Sequence, residues 1–210
     1  MILLNSFNSL NSFNSLVHSI LISLAILLPS CMTSSQIGQP TVQTPPQSPI
    51  AVTKPPAVVE PDALINPQAS FELHLNSQTN PLVINQPLRL SLQSQVDSFV
   101  SLYHISSSGK TARLFNNQEI HANQEVAFPA PESMLDWVLR PPPGEETYIL
   151  VATQTPLQWL AAADIATEGV LTLLALTPSQ LIERLITATS RLHPASWNIA
   201  VLRLPLVNPH

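Results

Sequence analysis

The sequence predicts a mainly β fold, an antiparallel sandwich-like β domain with at least one α-helix near the C-terminus. Three observations favour this fold class. After residue 69, several short segments alternate apolar and polar residues with the period of two that is typical of half-buried strands. Segments rich in Pro, Asn or Gly separate them. Residues 178–192 carry a sustained apolar stripe at helical spacing, which adds one helix to a β domain of the sandwich kind.

The first three strands are predicted from their apolar patterns. SFELHLN (70–76) and QPLRLSLQS (86–94) alternate apolar residues, expected to point inward, with polar residues expected to point outward. DSFVSLYHIS (97–106) is apolar at nearly every position, which is typical of a central strand.

Turn chemistry then divides the middle of the chain. SSGK (107–110) predicts a hairpin turn that leads into the strand TARLF (111–115), and the polar NNQE (116–119) predicts a corner after it. QEVAFP (124–129) and LDWVLR (135–140) are weaker strand candidates.

The following segments alternate loop and strand. RPPPGEE (140–146) predicts a loop that ends any strand pairing, because three prolines donate no backbone hydrogen bonds. TYILVATQ (147–154) predicts a strong strand, while residues 156–176 are compatible with helix or strand. WNIAVLRLPL (197–206) predicts a final strand, which Pro205 favours placing at a sheet edge.

The helix is the element with the clearest start signal. Thr177 is a good N-cap and Pro178 suits the first helical position. The apolar stripe that follows consists of Leu181, Ile182, Leu185, Ile186 and Leu192.

Composition excludes several classes of function. Charged residues make up 10% of the 210 residues, and the formal net charge is −5. Lys and Arg are scattered, so the basic face of a nucleic-acid-binding protein is missing and no nucleic acid partner is expected. The single cysteine, Cys31, has no second cysteine with which to form an intramolecular disulfide.

The N-terminal segment predicts export. Residues 16–28 form an apolar run of about 13 residues, which is shorter than the ~20 residues of a membrane-spanning helix and has the length of a signal-peptide core. The sequence Leu28-Pro29-Ser30-Cys31 ends this run and resembles a bacterial lipobox, with Leu28 and Ser30 at its usual aliphatic and small positions. An uncleaved anchor and a cysteine without a role are the alternatives.

The lipobox resemblance implies cleavage before Cys31 and acylation of that residue, so that the lipid bilayer becomes a partner. Because Met32 rather than Asp follows the cysteine, the resemblance implies a lipid-anchored protein at the periplasmic face of a Gram-negative outer membrane. Residues 1–30 are then the signal peptide. Residues 31–68, with 8 prolines and no aromatic residue, predict a disordered tether. Residues 69–210 predict the β domain.

A second resemblance concerns the β domain. FVSLYHISSSGKTARLFNN (99–117) followed by GEETYILVATQTPL (144–157) resembles a bacterial envelope family known as domain of unknown function 4384. Gly109 and the pair Leu114-Phe115 match its pattern, whereas Asn116 stands where the family usually has Pro. The matching residues mark turns and core positions, so the resemblance implies a fold rather than an activity.

No catalytic or metal-binding motif stands out. The six histidines lack the spacings of local zinc sites, nucleophile elbows and phosphate loops are missing, and no cofactor is expected. His74 and His104 both fall on predicted strands, and each is expected to be a surface or half-buried histidine; the alternative is that they meet across a sheet. Glu145 and Glu146 are expected on a solvated loop. The candidate binding aromatics are Trp137, Trp159 and Tyr103.

These features predict a non-enzymatic, membrane-anchored module that binds a protein partner in the cell envelope. A glycan- or peptidoglycan-binding module that uses exposed aromatic residues is the alternative. A hydrolase is the third reading, and it would require a spatial cluster of His with Asp, Glu or Ser in a cleft.

Overall fold

The computed structural model describes residues 60–133, 136–167, 169 and 171–209. The predicted signal peptide, the lipobox with Leu28, Ser30 and Cys31, and residues 31–59 of the predicted tether lie outside the described residues. Those that are described form ten strands and one α-helix: β1 Leu73–Ser77, β2 Leu82–Val83, β3 Leu90–Ser94, β4 Ser98–Ile105, β5 Thr111–Ile120, β6 Glu125–Phe128, β7 Gly144–Thr153, β8 Ile165–Thr167, β9 Thr172–Leu174, α1 Pro178–Thr189 and β10 Trp197–Val207. Short 3₁₀ turns occur at Pro61–Leu64, Ala162–Asp164 and Pro194–Ser196.

The strands form two sheets. The small sheet has the order β1-β3-β6 and is antiparallel throughout. The large sheet has the order β2-β10-β7-β4-β5-β9-β8. Its pairs are antiparallel except for the short parallel pair of β2 with β10. The long strands β7 and β4 lie in the middle of the large sheet, which explains why nearly every residue of both is buried.

Two apolar cores lie on opposite faces of the large sheet. The first core is between the sheets, where leucines of β1 and β3 pack against Leu102, Leu150 and other buried residues of the large sheet. The second core contains Ile149 and Val151 of β7 and the apolar face of α1. The described domain therefore has three layers, which are the small sheet, the large sheet and the helix, and this confirms the mainly β class and the helix near the C-terminus.

The helix starts where the sequence predicts. Thr177 accepts a hydrogen bond from the backbone N–H of Gln180 (3.3 Å), and the Gln180 side chain accepts one from the backbone N–H of Thr177 (2.8 Å). This reciprocal capping satisfies two backbone donors at the helix start. Leu181, Ile182 and Leu185 are buried against the sheet. Leu192 lies beyond the helix end.

Alternation predicts the inward positions of the small sheet correctly. Phe71, Leu73 and Leu75 are all buried, as are the three leucines of the second predicted strand. QEVAFP forms β6. LDWVLR does not form a strand, and its described part makes one isolated bridge, between Val138 and Pro87.

The predicted corner at NNQE is wrong, because β5 continues through it to Ile120. Asn116 and Asn117 form a bulge there, since two residues of β5 lie opposite Ser101 of β4. Asn117 has φ +48°, a conformation that Asn tolerates. The Ser101 hydroxyl donates to Asn116 Oδ1 (3.2 Å) and accepts from the Asn117 backbone N–H (2.9 Å).

The predicted loop at RPPPGEE is also wrong at its end, because β7 begins at Gly144 and pairs with β10 from that residue onward. Gly144 has φ +155°, and a Cβ there would lie 3.0 Å from the Cβ of Ser107, so the close approach favours glycine. Strand β10 is second from one edge of the large sheet. The neighbouring β2 pairs only with Leu206 and Val207, and Pro205 lies just outside this short ladder.

Residues 60–68, which the sequence places in the tether, contact the β domain. Leu64 is buried in the second core. Asn66 is also buried, and its side-chain amide donates to the carbonyl oxygens of Pro194 (2.7 Å) and Trp197 (2.8 Å). These bonds fasten the start of the described chain to the start of β10.

Candidate functional site

An apolar cleft of about 370 Å³ opens between the free edge of the small sheet and the large sheet. Its walls come from Leu114 and Phe115 on β5, from Val126 and Phe128 on β6, and from Trp137 in the following loop. β6 is the end strand of the small sheet. The cleft exists because the first core remains open at this side, where the aromatic walls are only partly buried.

A row of five rings leads from this cleft into the first core. Phe115 and Phe128 have ring centroids 5.7 Å apart, and Phe128 and Trp137 are 6.1 Å apart. Trp137 meets His104 edge-on at 6.2 Å, and His104 stacks on Tyr148 at 4.8 Å with an angle of 12° between the rings. We call these five residues the aromatic row. Contacts of this geometry add to the packing energy of the rings.

The His104–Glu146 pair lies at the inner end of the row. His104 on β4 is directly opposite Tyr148 on β7, and Glu146 is two residues before Tyr148 on the same face of the sheet. His104 Nε2 and Glu146 Oε2 are hydrogen-bonded to each other. The other oxygen, Oε1, accepts a hydrogen bond from the backbone N–H of Ser107 (3.0 Å). Glu146 is 1% exposed and His104 7% exposed.

These bonds keep Glu146 ionised. Burial alone raises the pKa of this carboxyl, but the hydrogen bonds from His104 and Ser107 outweigh it and hold the pKa below its ordinary value. An ionised carboxylate only accepts hydrogen bonds, so His104 Nε2 must donate the proton. Its Nδ1 has no hydrogen-bond partner in the part of the chain that the structure describes.

Tyr148 contributes a buried hydroxyl to the same cluster. The side chain is fully buried, and its Oη has no hydrogen-bond partner among the described residues. Burial and the nearby charge of Glu146 both raise the pKa of Tyr148, so its phenol stays protonated.

A second cleft of about 280 Å³ adjoins the apolar cleft; its walls are largely apolar too, but they include charged and hydroxyl side chains, and we call it the polar cleft for these groups. The two clefts share Trp137 and Leu171 as wall residues. Lys110 and Arg140 are exposed on the polar cleft, together with the serines of the turn at residues 106–108 and the His104–Glu146 pair. Gly109 has φ +76°, which closes this turn.

The serine hydroxyls of the polar cleft are bonded to other groups. Ser107 Oγ donates to the carbonyl oxygen of Pro142 (2.7 Å). The hydroxyls of Ser106 and Ser108 are 2.9 Å apart and bond to each other. Within the described ranges, no serine is hydrogen-bonded to His104, so the cluster lacks the nucleophile–base contact of a hydrolytic triad.

The three candidate binding aromatics are separated by the fold. Trp137 lies on the first core and lines both clefts. Trp159 packs on the second core, at the opposite face of the large sheet. Tyr103 is 1% exposed, so it is not a surface residue, and its hydroxyl accepts a hydrogen bond from Trp159 Nε1 (2.8 Å). Burial raises the pKa of Tyr103 to about 12.

Two predictions about charged residues are wrong. Glu146 is not on a solvated loop, because it belongs to β7 and points into the first core; Glu145, its neighbour, is exposed. His104 is not a surface residue. It does not meet His74, which lies in the small sheet beside Glu72. The alternation of side chains along the strand could have shown the burial of Glu146. Once the strand is extended back to Gly144, Glu146 lies two and four residues before Tyr148 and Leu150, so its side chain faces the core with theirs.

The described ranges contain neither a cluster of metal ligands nor a helix able to span a membrane. No group of three or more His, Cys, Asp or Glu side chains there is arranged to hold a metal ion. No helix in the same ranges has the length and apolar character required to cross a membrane.

The central part of the chain is similar to one known family. Residues 82–156 match the family model described as Domain of unknown function (DUF4384). The match runs from β2 to the end of β7 and includes both His104 and Glu146, and it confirms the resemblance drawn from residues 99–117 and 144–157. No curated protein and no solved structure matches this chain.

Proposed function

We propose that this protein is a lipid-anchored lipoprotein at the periplasmic face of a Gram-negative outer membrane, and that its β domain binds a protein partner without catalysing a reaction. The lipobox-like residues Leu28, Ser30 and Cys31 and the Pro-rich segment after them support the anchor. The apolar cleft is the observation that carries the binding function.

The apolar cleft has the character of a protein-binding site. Phe115, Phe128 and Trp137 are only partly buried although their rings touch one another. Partly exposed aromatic side chains that cluster in a concave site are typical of interaction surfaces, where they contribute most of the binding energy. A partner that covers these rings buries apolar area that the folded domain leaves in water.

A hydrolase would require His clustered with Asp, Glu or Ser in a cleft, and the His104–Glu146 pair meets part of this requirement. The hydroxyls of Ser106, Ser107 and Ser108 are bonded to groups other than His104. Instead, His104 and the backbone N–H of Ser107 satisfy the two oxygens of a buried carboxylate beside the clefts. This arrangement favours binding over hydrolysis.

Glycan binding is less favoured by the positions of the aromatic residues. Trp137 and Trp159 lie on opposite faces of the large sheet, and Tyr103 is buried. They therefore form no common stacking platform for a sugar chain.

The anchor is tested by metabolic labelling of cells with a clickable fatty acid. The wild-type chain is expected to take up label, Cys31→Ala to lose it, and the neighbouring control Ser34→Ala to keep it. An unlabelled wild type, or equal labelling of Cys31→Ala, would refute the anchor.

The binding function is tested by crosslinking the full chain in cells and identifying the captured proteins. Trp137→Ala is expected to abolish capture of a specific envelope protein. Ile65→Ala removes an apolar side chain that is 56% exposed and lies outside both clefts, and it is expected to have no effect. Circular dichroism checks that both variants are folded. Equal capture by both variants would refute binding in the apolar cleft, and peptidoglycan co-sedimentation lost in Trp137→Ala would assign the cleft to a glycan instead.

A further inference from the structure

The edge strand β6 offers backbone groups to a partner. β6 pairs with β3 on one side, and among the described residues no strand pairs with its other side. An edge strand of this kind is a template for an added strand, because its outward N–H and C=O groups are unpaired. Extended peptides use such edges, with backbone bonds providing affinity and alternate side chains entering pockets.

The apolar cleft is placed to receive those alternate side chains. It lies directly beside β6, and Val126, Ala127 and Phe128 form one of its walls. An extended segment paired with β6 therefore directs every second side chain into this cleft.

The polar cleft adds a positive charge at the end of this path. Lys110 forms no ion pair with any described residue, and Arg140 bonds only to the neutral side chain of Asn85 (3.2 Å). The one carboxylate lining the polar cleft, Glu146, is buried and bonded to His104. Two exposed cations thus remain unneutralised on a chain whose formal net charge is −5.

Asp136, on the wall of the apolar cleft, does not offset this charge. Its carboxylate is bound by Arg89, with Arg89 Nη2 and Asp136 Oδ1 2.6 Å apart. A ligand that spans both clefts therefore meets an apolar surface first and a cationic surface beyond Trp137.

We propose that the bound segment is the free C-terminus of the partner protein. Building on the proposed binding function, the segment pairs with β6, places apolar side chains in the apolar cleft, and brings its terminal carboxylate to Lys110 and Arg140. Charge complementarity with these two side chains distinguishes a C-terminus from an internal segment, which has no carboxylate at its end.

The test uses the full chain in phosphatidylcholine nanodiscs, with empty nanodiscs as the blank. The probe is a set of N-terminally fluorescein-labelled hexapeptides that alternate Thr with every combination of Val, Leu and Phe. Each peptide is made with a free and with an amidated C-terminus, and binding is measured by fluorescence anisotropy. The best free acid is expected to bind at least about tenfold more tightly than its amide, since hydrogen bonds to charged groups are the stronger ones.

Variants locate the carboxylate. Lys110→Gln combined with Arg140→Gln is expected to reduce the affinity for the free acid to that for the amide. Arg191→Gln removes an exposed cation that lines a different cleft beside α1, and it is expected to leave both affinities unchanged.

Three outcomes would overturn the inference. Equal affinity for acid and amide would mean that no C-terminus is read, while a partner captured through Trp137 would still support the proposed function. Absence of binding by every peptide would exclude strand addition to β6. The third outcome comes from competition experiments, in which octanoate displaces the best labelled peptide at concentrations as low as the unlabelled peptide needs. That result would assign the clefts to a fatty acid.

Discussion

Replacing Glu146 by Gln is expected to destabilise the fold strongly and in a pH-dependent way. The carboxylate is buried and accepts two hydrogen bonds, from His104 and from the backbone N–H of Ser107. Gln keeps the shape of the side chain, but it has one oxygen where Glu has two. Its amide group must face one of the two donors, which is then left without an acceptor.

The size of the effect follows from these two bonds. An unsatisfied buried donor costs about 1–3 kcal/mol, and the loss of charge weakens the remaining bond by about 1 kcal/mol. We therefore expect the free energy of unfolding to fall by about 3 kcal/mol. This corresponds to a decrease in melting temperature of roughly 6–12 °C for a domain of this size.

The pH dependence has a definite sign. The pKa of Glu146 is lower in the folded protein than its ordinary value of 4.5. The carboxylate therefore stabilises the fold at pH values above 4.5, and this stabilisation is lost as the pH falls through the folded pKa. Urea unfolding of the wild type and of Glu146→Gln between about pH 3 and pH 6 is expected to show a difference that is largest at pH 6 and shrinks below pH 4.5.

The exposed pair of Glu72 with His74 provides the matched control. The Glu72 and His74 side chains are 75% and 52% exposed, and the two groups are 3.3 Å apart. Glu72→Gln is expected to change the free energy of unfolding by less than about 0.5 kcal/mol, because solvent screens such pairs. Equal effects of the two substitutions, or a deficit in Glu146→Gln that does not shrink at low pH, would refute this account of the buried pair.

Three further predictions concern the framework. Thr177→Ala removes the helix cap and is expected to cost about 1 kcal/mol in urea unfolding, whereas an unchanged midpoint would mean that water replaces the cap. Leu185→Ala leaves a cavity in the second core and is expected to lower the free energy of unfolding by about 2–5 kcal/mol. The control Leu173→Ala changes a leucine that is 40% exposed and is expected to lower it by less than about 0.5 kcal/mol. Similar losses of stability in the two variants would contradict the burial of Leu185. Asn66→Ala removes both hydrogen bonds to Pro194 and Trp197, and it is expected to make proteolytic cleavage within residues 60–68 faster. An unchanged cleavage rate would mean that these bonds do not hold the segment in place.

The sequence predicts the parts of the fold that depend on local chemistry. The cap at Thr177 and the apolar stripe of α1 involve neighbours in the chain, and the alternation in β1 and β3 directly reports which side chains face the core. These features require no knowledge of strand pairing, and the structure confirms them except at Leu192, which lies beyond the end of α1.

The candidate site depends on pairing and could not be predicted in the same way. His104 and Glu146 are 42 residues apart and meet only because β4 lies beside β7 in a register that places His104 opposite Tyr148. The three prolines before Gly144 predict a loop. The prediction extends this loop to Glu146, whereas that residue belongs to β7, where the alternation of side chains turns it toward the core. Asn116 and Asn117 misled for a related reason, since residues favoured in turns also form bulges within long strands.

The attachment of residues 60–68 to the beginning of β10 has a consequence for the order in which the protein is made. β10 pairs with β7 along ten residue pairs, from Trp197 to Leu206. The edge of β7 that pairs with β10 therefore stays unpaired until β10 itself has been synthesised. The stretch of chain that brings β10 to β7 also supplies the Pro194 and Trp197 carbonyl groups that bind Asn66, so pairing of β10 and attachment of residues 60–68 depend on the same segment.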